Sequence, residues 1–234
     1  EAFATYESLA PGAPDPLHSM ANARLRGGDY DEAIELYRGI IRDHPGYFVA
    51  HESLGMAYLS LGRWRLAIDE FNRYIGAVAD PMLRSRGHIL IGLVHLRQGD
   101  PAGVIAEAEA AAEANGRIPQ AAWLRGLAAV ERGDTAAARR ELAAIDRLLA
   151  EPDVFDGRPC REHLRGRLLV ASGRIEQGLA ALRRSAELST REFLFFEKET
   201  ARACLTAGRV DEAASIAEAH LKTNPRDAEA HCLL

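Results

Sequence analysis

Two ten-residue stretches, GDYDEAIELY from Gly28 to Tyr37 and GRVDEAASIA from Gly208 to Ala217, lie 180 residues apart and share one pattern. Each opens on a glycine and moves through a polar-to-apolar step. A small residue, Ala33 or Ala213, then follows five positions after the glycine. In both cases an amphipathic stretch of about three turns precedes the glycine and another follows it. That is the signature of a helix that ends at a left-handed glycine and restarts at once, because glycine alone enters that backbone region without a Cβ penalty.

Working outward, the same step recurs at Gly62-Arg63-Trp64, Gly99-Asp100-Pro101, Gly133-Asp134-Thr135 and Gly173-Arg174-Ile175. The six glycines are spaced by 34, 37, 34, 40 and 35 residues, a period that belongs to stacked repeats. Two antiparallel helices per repeat follow, and with them an all-α class. Composition agrees: Ala and Gly together make up about a quarter of the 234 residues and aromatics only 6%, a balance suited to closely packed helices.

When the turn glycine is counted as the fifteenth residue of a repeat, the eighth reads Ala21, Gly55, Gly92, Gly126, Gly166 and Ala201. The twentieth reads Ala33, Ala67, Val104, Ala138, Gly178 and Ala213, so eleven of these twelve are Gly or Ala. In this register the chain resembles the tetratricopeptide repeat family, which places small residues at those two positions, where its paired helices cross, and larger apolar residues around them. The resemblance implies a right-handed superhelical solenoid of six full repeats, 14–47, 48–84, 85–118, 119–158, 159–193 and 194–227. Residues 1–13 are expected to be the second-helix remnant of a preceding repeat, with Phe3, Tyr6 and Pro11 in its apolar register, and 228–234 to begin a further first helix. Neither end carries the polar cap that solenoids use, so a piece of a longer protein is expected, with self-association through the uncapped ends.

Some positions depart from the family pattern. Arg125 and Arg165 stand at the seventh position, where an apolar residue is usual, and the repeat-ending proline seen at Pro45 and Pro225 is displaced to Pro81 and Pro152. Six further residues enter between the fourth and fifth repeats, around EPDVFDGRP from Glu151 to Pro159, and are expected to form a longer connection.

In the family the first helix of each pair lines the concave face, through its second, fifth, ninth, twelfth and thirteenth residues. The fifth and ninth, one turn apart, read His18/Asn22, Glu52/Met56, Ile89/Leu93, Trp123/Leu127, His163/Arg167 and Lys198/Arg202. The resemblance thus implies a partner-binding groove of Asn22, Met56, Ile89, Leu93, Trp123, Leu127, His163, Arg167, Lys198 and Arg202, apolar in the middle and basic at one end. Such a groove suits another protein or a peptide whose acidic residue or C-terminal carboxylate meets the basic end. Trp123 has two assignments, groove anchor or core residue between repeats. The family's two-carboxylate clamp of Lys, Asn and Arg across three adjacent repeats is not reproduced.

Other chemistry lacks its residues. A net charge of -5 supplies no footprint for nucleic acid. No apolar run approaches the ~18 residues of a membrane span, so membrane insertion is not expected. Three cysteines without CxxC spacing signal neither disulfides nor zinc, and His51, His88 and His95 lack the converging ligands of a metal site. No phosphate-cradling glycine motif follows a strand. No cofactor and no enzymatic activity are expected, and the cytoplasm is the expected compartment, with the periplasm left open by a start at Glu1. The leading function is a protein–protein interaction scaffold. The alternatives are a regulatory or substrate-recruiting arm of a multidomain enzyme, as in bacterial proteins that fuse such arrays to kinases, sulfatases or glycosyltransferases, and a peptide or small-ligand sensor.

Overall fold

The computed structural model describes residues 13–152, 154, 156–189, 195–223 and 228–234. Within them the chain is an array of antiparallel helix pairs: α1 (Pro14–Arg26) and α2 (Tyr30–Asp43), α3 (Val49–Ser60) and α4 (Trp64–Ala77), α5 (Pro81–Gln98) and α6 (Pro101–Ala114), α7 (Pro119–Glu131) and α8 (Thr135–Leu149), α9 (Arg158–Ala171) and α10 (Ile175–Leu188), α11 (Phe195–Thr206) and α12 (Val210–Thr223). A short α13 (Ala228–His231) follows. No strand occurs among the described residues, and the pairs stack into a solenoid. Residues 1–12, on which the expected remnant of a preceding repeat falls, lie outside the described set, as does Pro225.

All six turn glycines are left-handed, with φ between 67° at Gly62 and 80° at Gly28. Each makes the same pair of bonds. The glycine N–H reaches a carbonyl three residues back, and the next N–H reaches five back, as in Gly173 to Val170 at 3.0 Å and Arg174 to Leu169 at 2.9 Å. This doubly bonded stop satisfies helix-end carbonyls and aims the chain straight into the second helix. That second helix is nearly invariant in length, 14 residues in five repeats and 15 in α8. Three helix starts are fixed by aspartates: Asp80, Asp100 and Asp134 accept from the backbone N–H groups of Met82, Gly103 and Ala137.

The longer spacings are therefore absorbed between repeats. Behind the Asp80 cap, Pro81 opens α5, the longest of the described helices at 18 residues, because proline's fixed φ suits the first helical position. The residues added after α8 are tied down by Arg117, which donates to the Pro152 carbonyl and pairs with Glu151.

In the fifth repeat the eighth and twentieth residues meet as their sizes require. A Cβ on Gly166 would stand 2.9 Å from the Gly178 carbonyl and 2.6 Å from Leu182 Cγ. In the second repeat a Cβ on Gly55 would collide with Phe71. Gly92 and Gly126 face the next repeat instead: Leu124 and Leu164 fill the spaces their side chains would occupy, at 2.6 and 2.4 Å from the absent Cβ atoms. Neighbouring first helices α5, α7 and α9 are thus drawn close together. The departures at polar positions pair within a repeat. Arg125 is bonded to Glu141 at 3.1 Å, His51 to Glu70 at 2.7 Å and His88 to Glu107 at 2.8 Å. The histidines that superficially suggest a metal site are held by carboxylates, and no group of three or more His, Cys, Asp or Glu able to hold a metal occurs among the described residues.

Candidate functional site

The structure divides the expected groove residues into three sets. Ile89, Leu93, Trp123, Leu127 and His163 are buried, Trp123 completely and His163 to within 1%. The apolar stripe therefore lies between repeats and does not floor an open groove. The cause is the close approach of α5, α7 and α9 over Gly92 and Gly126. Trp123 Nε1 donates to His163 Nδ1 at 3.0 Å, with the two rings edge to face at 5.7 Å. Burying that bond satisfies the indole N–H and fixes which imidazole nitrogen is the acceptor.

Asn22 and Met56 are half-buried. Met56 packs against the main core. Asn22 belongs to a polar cluster at the first two repeats: Tyr37 donates to Asn22 Oδ1 at 2.7 Å, Asn22 approaches His18 Nδ1 at 3.4 Å, and His18 Nε2 lies 2.9 Å from Ser53 Oγ. Burial holds His18 below the ordinary imidazole range, against the opposing pull of the Asp15 carboxylate. Because the unfolded chain then binds a proton more readily, this contribution to stability is complete above about pH 6.5 and is lost as pH falls through the folded value. His18→Gln is accordingly expected to flatten the fall in melting temperature between pH 7.5 and 5.5. A variant as acid-sensitive as the parent would refute that assignment.

Arg167 and Arg202 form the third set, and both line a concave cleft of about 570 Å³. The side chain of Lys198 lies outside the described residues. The cleft runs along the C-terminal ends of α5, α7, α9 and α11. Leu96, Val130, Val170 and Leu205 supply its apolar wall, and Arg97, Glu131, Arg167 and Arg202 its charges. Among the described lining residues the guanidiniums are those of Arg97, Arg167 and Arg202 and the carboxylate is that of Glu131. Arg167 Nη2 donates to Glu131 across the repeat boundary, and Leu205 is an exposed large apolar side chain.

Arg97, Glu131 and the apolar wall were not singled out from the sequence, although they occupy the twelfth and thirteenth positions of the inward-facing set. Their signal lies one helical turn beyond the fifth and ninth positions. Burial raises the thiol pKa of Cys160 and Cys204, which keeps both in the unreactive protonated form. No helix of the described residues is long and apolar enough to cross a membrane.

The comparisons with known proteins agree with this architecture. The chain is similar over 99% of its length to the APC/C hetero-tetramer Cut9-Hcn1 structure, at 14% identity and TM-score 0.64, while covering 44% of that chain. It is equally similar, at 14% identity and TM-score 0.64, to a tetratricopeptide repeat protein from Parabacteroides merdae, covering 99% of this chain and 88% of that one. A thermophilic repeat protein from Thermus thermophilus matches at 18% identity and TM-score 0.55, over 79% of this chain and 95% of that one. At these identities the likeness shows the fold alone. The curated protein sequences contain no match. The family model for the tetratricopeptide repeat matches residues 18–81, 89–149 and 163–229. With that model covering most of its length and the turn geometry repeated six times, the chain belongs to the tetratricopeptide repeat family.

Proposed function

We propose that this chain is an interaction scaffold whose cleft between α5 and α11 receives an acidic, partly apolar segment of another protein. The observation that carries this reading is the lining of the cleft: three arginines beside four large aliphatic side chains, in a molecule whose net charge is -5. A carboxylate that meets a partly desolvated guanidinium gains charge-assisted, directional hydrogen bonds. Aliphatic side chains of the same segment would remove the exposed Leu205 and its neighbours from water. The basic end expected from the sequence is retained in this proposal through Arg167 and Arg202, and Arg97 joins it. The apolar contribution comes from the cleft wall instead of the Trp123 stripe.

The test uses a fluorescein-labelled twelve-residue peptide of leucine, alanine and glutamate with a free C-terminal carboxylate. Fluorescence anisotropy is expected to show saturable binding that weakens with salt. The double variant Arg167→Glu/Arg202→Glu should lose affinity by at least tenfold, since hydrogen bonds to charged groups contribute ~1.5–3 kcal/mol each. Binding that is unchanged in a variant of undiminished helicity would overturn the proposal.

A further inference from the structure

We infer that Glu131 is a resident competitor for the partner's carboxylate, an acidic side chain that already occupies the Arg167 guanidinium and sets how acidic a segment must be to displace it. This rests on the cleft reading above. Four observations lead to it. Among the described residues lining the cleft Glu131 is the sole carboxylate, and it pairs with Arg167 from the preceding repeat, 36 residues away. The pair is solvent-facing on the glutamate side: the side chain of Glu131 is 47% exposed and that of Arg167 21%. The carboxylate can therefore swing away without opening the core.

The equivalent thirteenth positions of the other repeats read Arg26, Ser60, Arg97, Ala171 and Thr206, none of them acidic. Finally, Glu131 is the last residue of α7. A negative side chain there opposes the helix dipole, whose C-terminal end favours cations such as Arg26 and Arg97 in the last turns of α1 and α5. The local helix gains nothing from Glu131, and what it does satisfy is the cleft arginine. A weak or singly charged anion meets an arginine already engaged. A segment with several carboxylates exchanges one ion pair for a better one and releases Glu131 to water.

The experiment compares wild type with Glu131→Gln, using the same labelled leucine, alanine and glutamate peptide and a second, neutral peptide in which every glutamate is glutamine and the C-terminus is an amide. Glu131→Gln should bind the acidic peptide roughly three- to tenfold more tightly, the range expected when an exposed ion pair and a like-charge contact are both removed. It should leave the neutral peptide unchanged. In the background of Arg167→Gln the gain should disappear, because the contested guanidinium is gone. Helicity and melting temperature report that each variant is folded. Equal affinity of wild type and Glu131→Gln for the acidic peptide overturns the role of Glu131 while leaving the cleft reading standing. A gain that extends to the neutral peptide, or that persists without Arg167, also overturns it. Failure of every variant to bind overturns the cleft reading itself. Binding by Glu131→Gln alone supports competition in its strongest form.

Discussion

Trp123→Ala is expected to destabilise the array by about 3–5 kcal/mol, the range for emptying a fully buried aromatic site. Three effects combine. The indole is completely buried, so its removal leaves a cavity at the junction of α7 and α9. The His163 nitrogen that accepted the indole N–H loses that donor inside the protein, where an unmade hydrogen bond costs more than a made one contributes. The edge-to-face ring contact is lost as well. Repeat arrays distribute stability between neighbours, so damage at the boundary of the fourth and fifth repeats should separate the unfolding of the two halves. Guanidinium melts followed by circular dichroism are expected to show a lowered midpoint and a transition that broadens or splits. Trp123→Phe, which keeps most of the volume and removes the donor, should recover much of the loss. A Trp123→Ala protein as stable as wild type would show that this residue is not the pin between those repeats.

Gly166→Ala is the second large effect. A methyl there would approach the Gly178 carbonyl to 2.9 Å, and that atom is backbone, which cannot rotate aside as a flexible side chain would. Overpacking of this kind forces helices apart, at a cost of typically ~1–3 kcal/mol. Gly178→Ala meets the reciprocal obstacle, the Gly166 carbonyl at 2.9 Å and the Val170 backbone nitrogen at 2.9 Å. The pair is therefore not rescued by combining the two changes, and the double variant should be less stable than either single one. Gly133→Ala serves as the control for conformational strain. Its Cβ would meet nothing within 4 Å, and only its φ of 73° resists, for ~1–2 kcal/mol. Urea midpoints for the four variants check the ordering. A Gly166→Ala/Gly178→Ala protein that matches wild type would show that the crossing of α9 and α10 relaxes freely.

The helix boundaries and crossings were legible in the sequence because each depends on one residue's own stereochemistry. Gly173 must be glycine for its φ, and Gly166 and Gly178 must be small for the crossing, whatever surrounds them. The face presented by Trp123 was not legible in the same way. A fifth-position side chain belongs to the family's inward-facing register, but whether it meets water or a neighbouring first helix depends on how closely the next repeat leans over it. That closeness is set by Leu124 and Leu164 seating on Gly92 and Gly126, contacts 32 and 38 residues apart. The pairing of Glu131 with Arg167 escaped for a related reason. Charge pairs are read at three or four residues' spacing along one helix, whereas this pair joins neighbouring helices a full repeat apart.

The constancy of the turn-plus-second-helix unit has a consequence for how such a chain can change length. Each glycine joint commits both of its bonded N–H groups and the direction of the helix that follows, so a residue added there would rotate every later side chain out of its contacts. The connections between repeats carry no such commitment. The extra turn at the start of α5 and the Arg117-anchored segment after α8, two places among the described residues where the spacing exceeds 34, both lie there. Growth and loss are thereby confined to one kind of seam, and the number of cleft-lining helices can vary while the spacing of charges within each repeat stays the same.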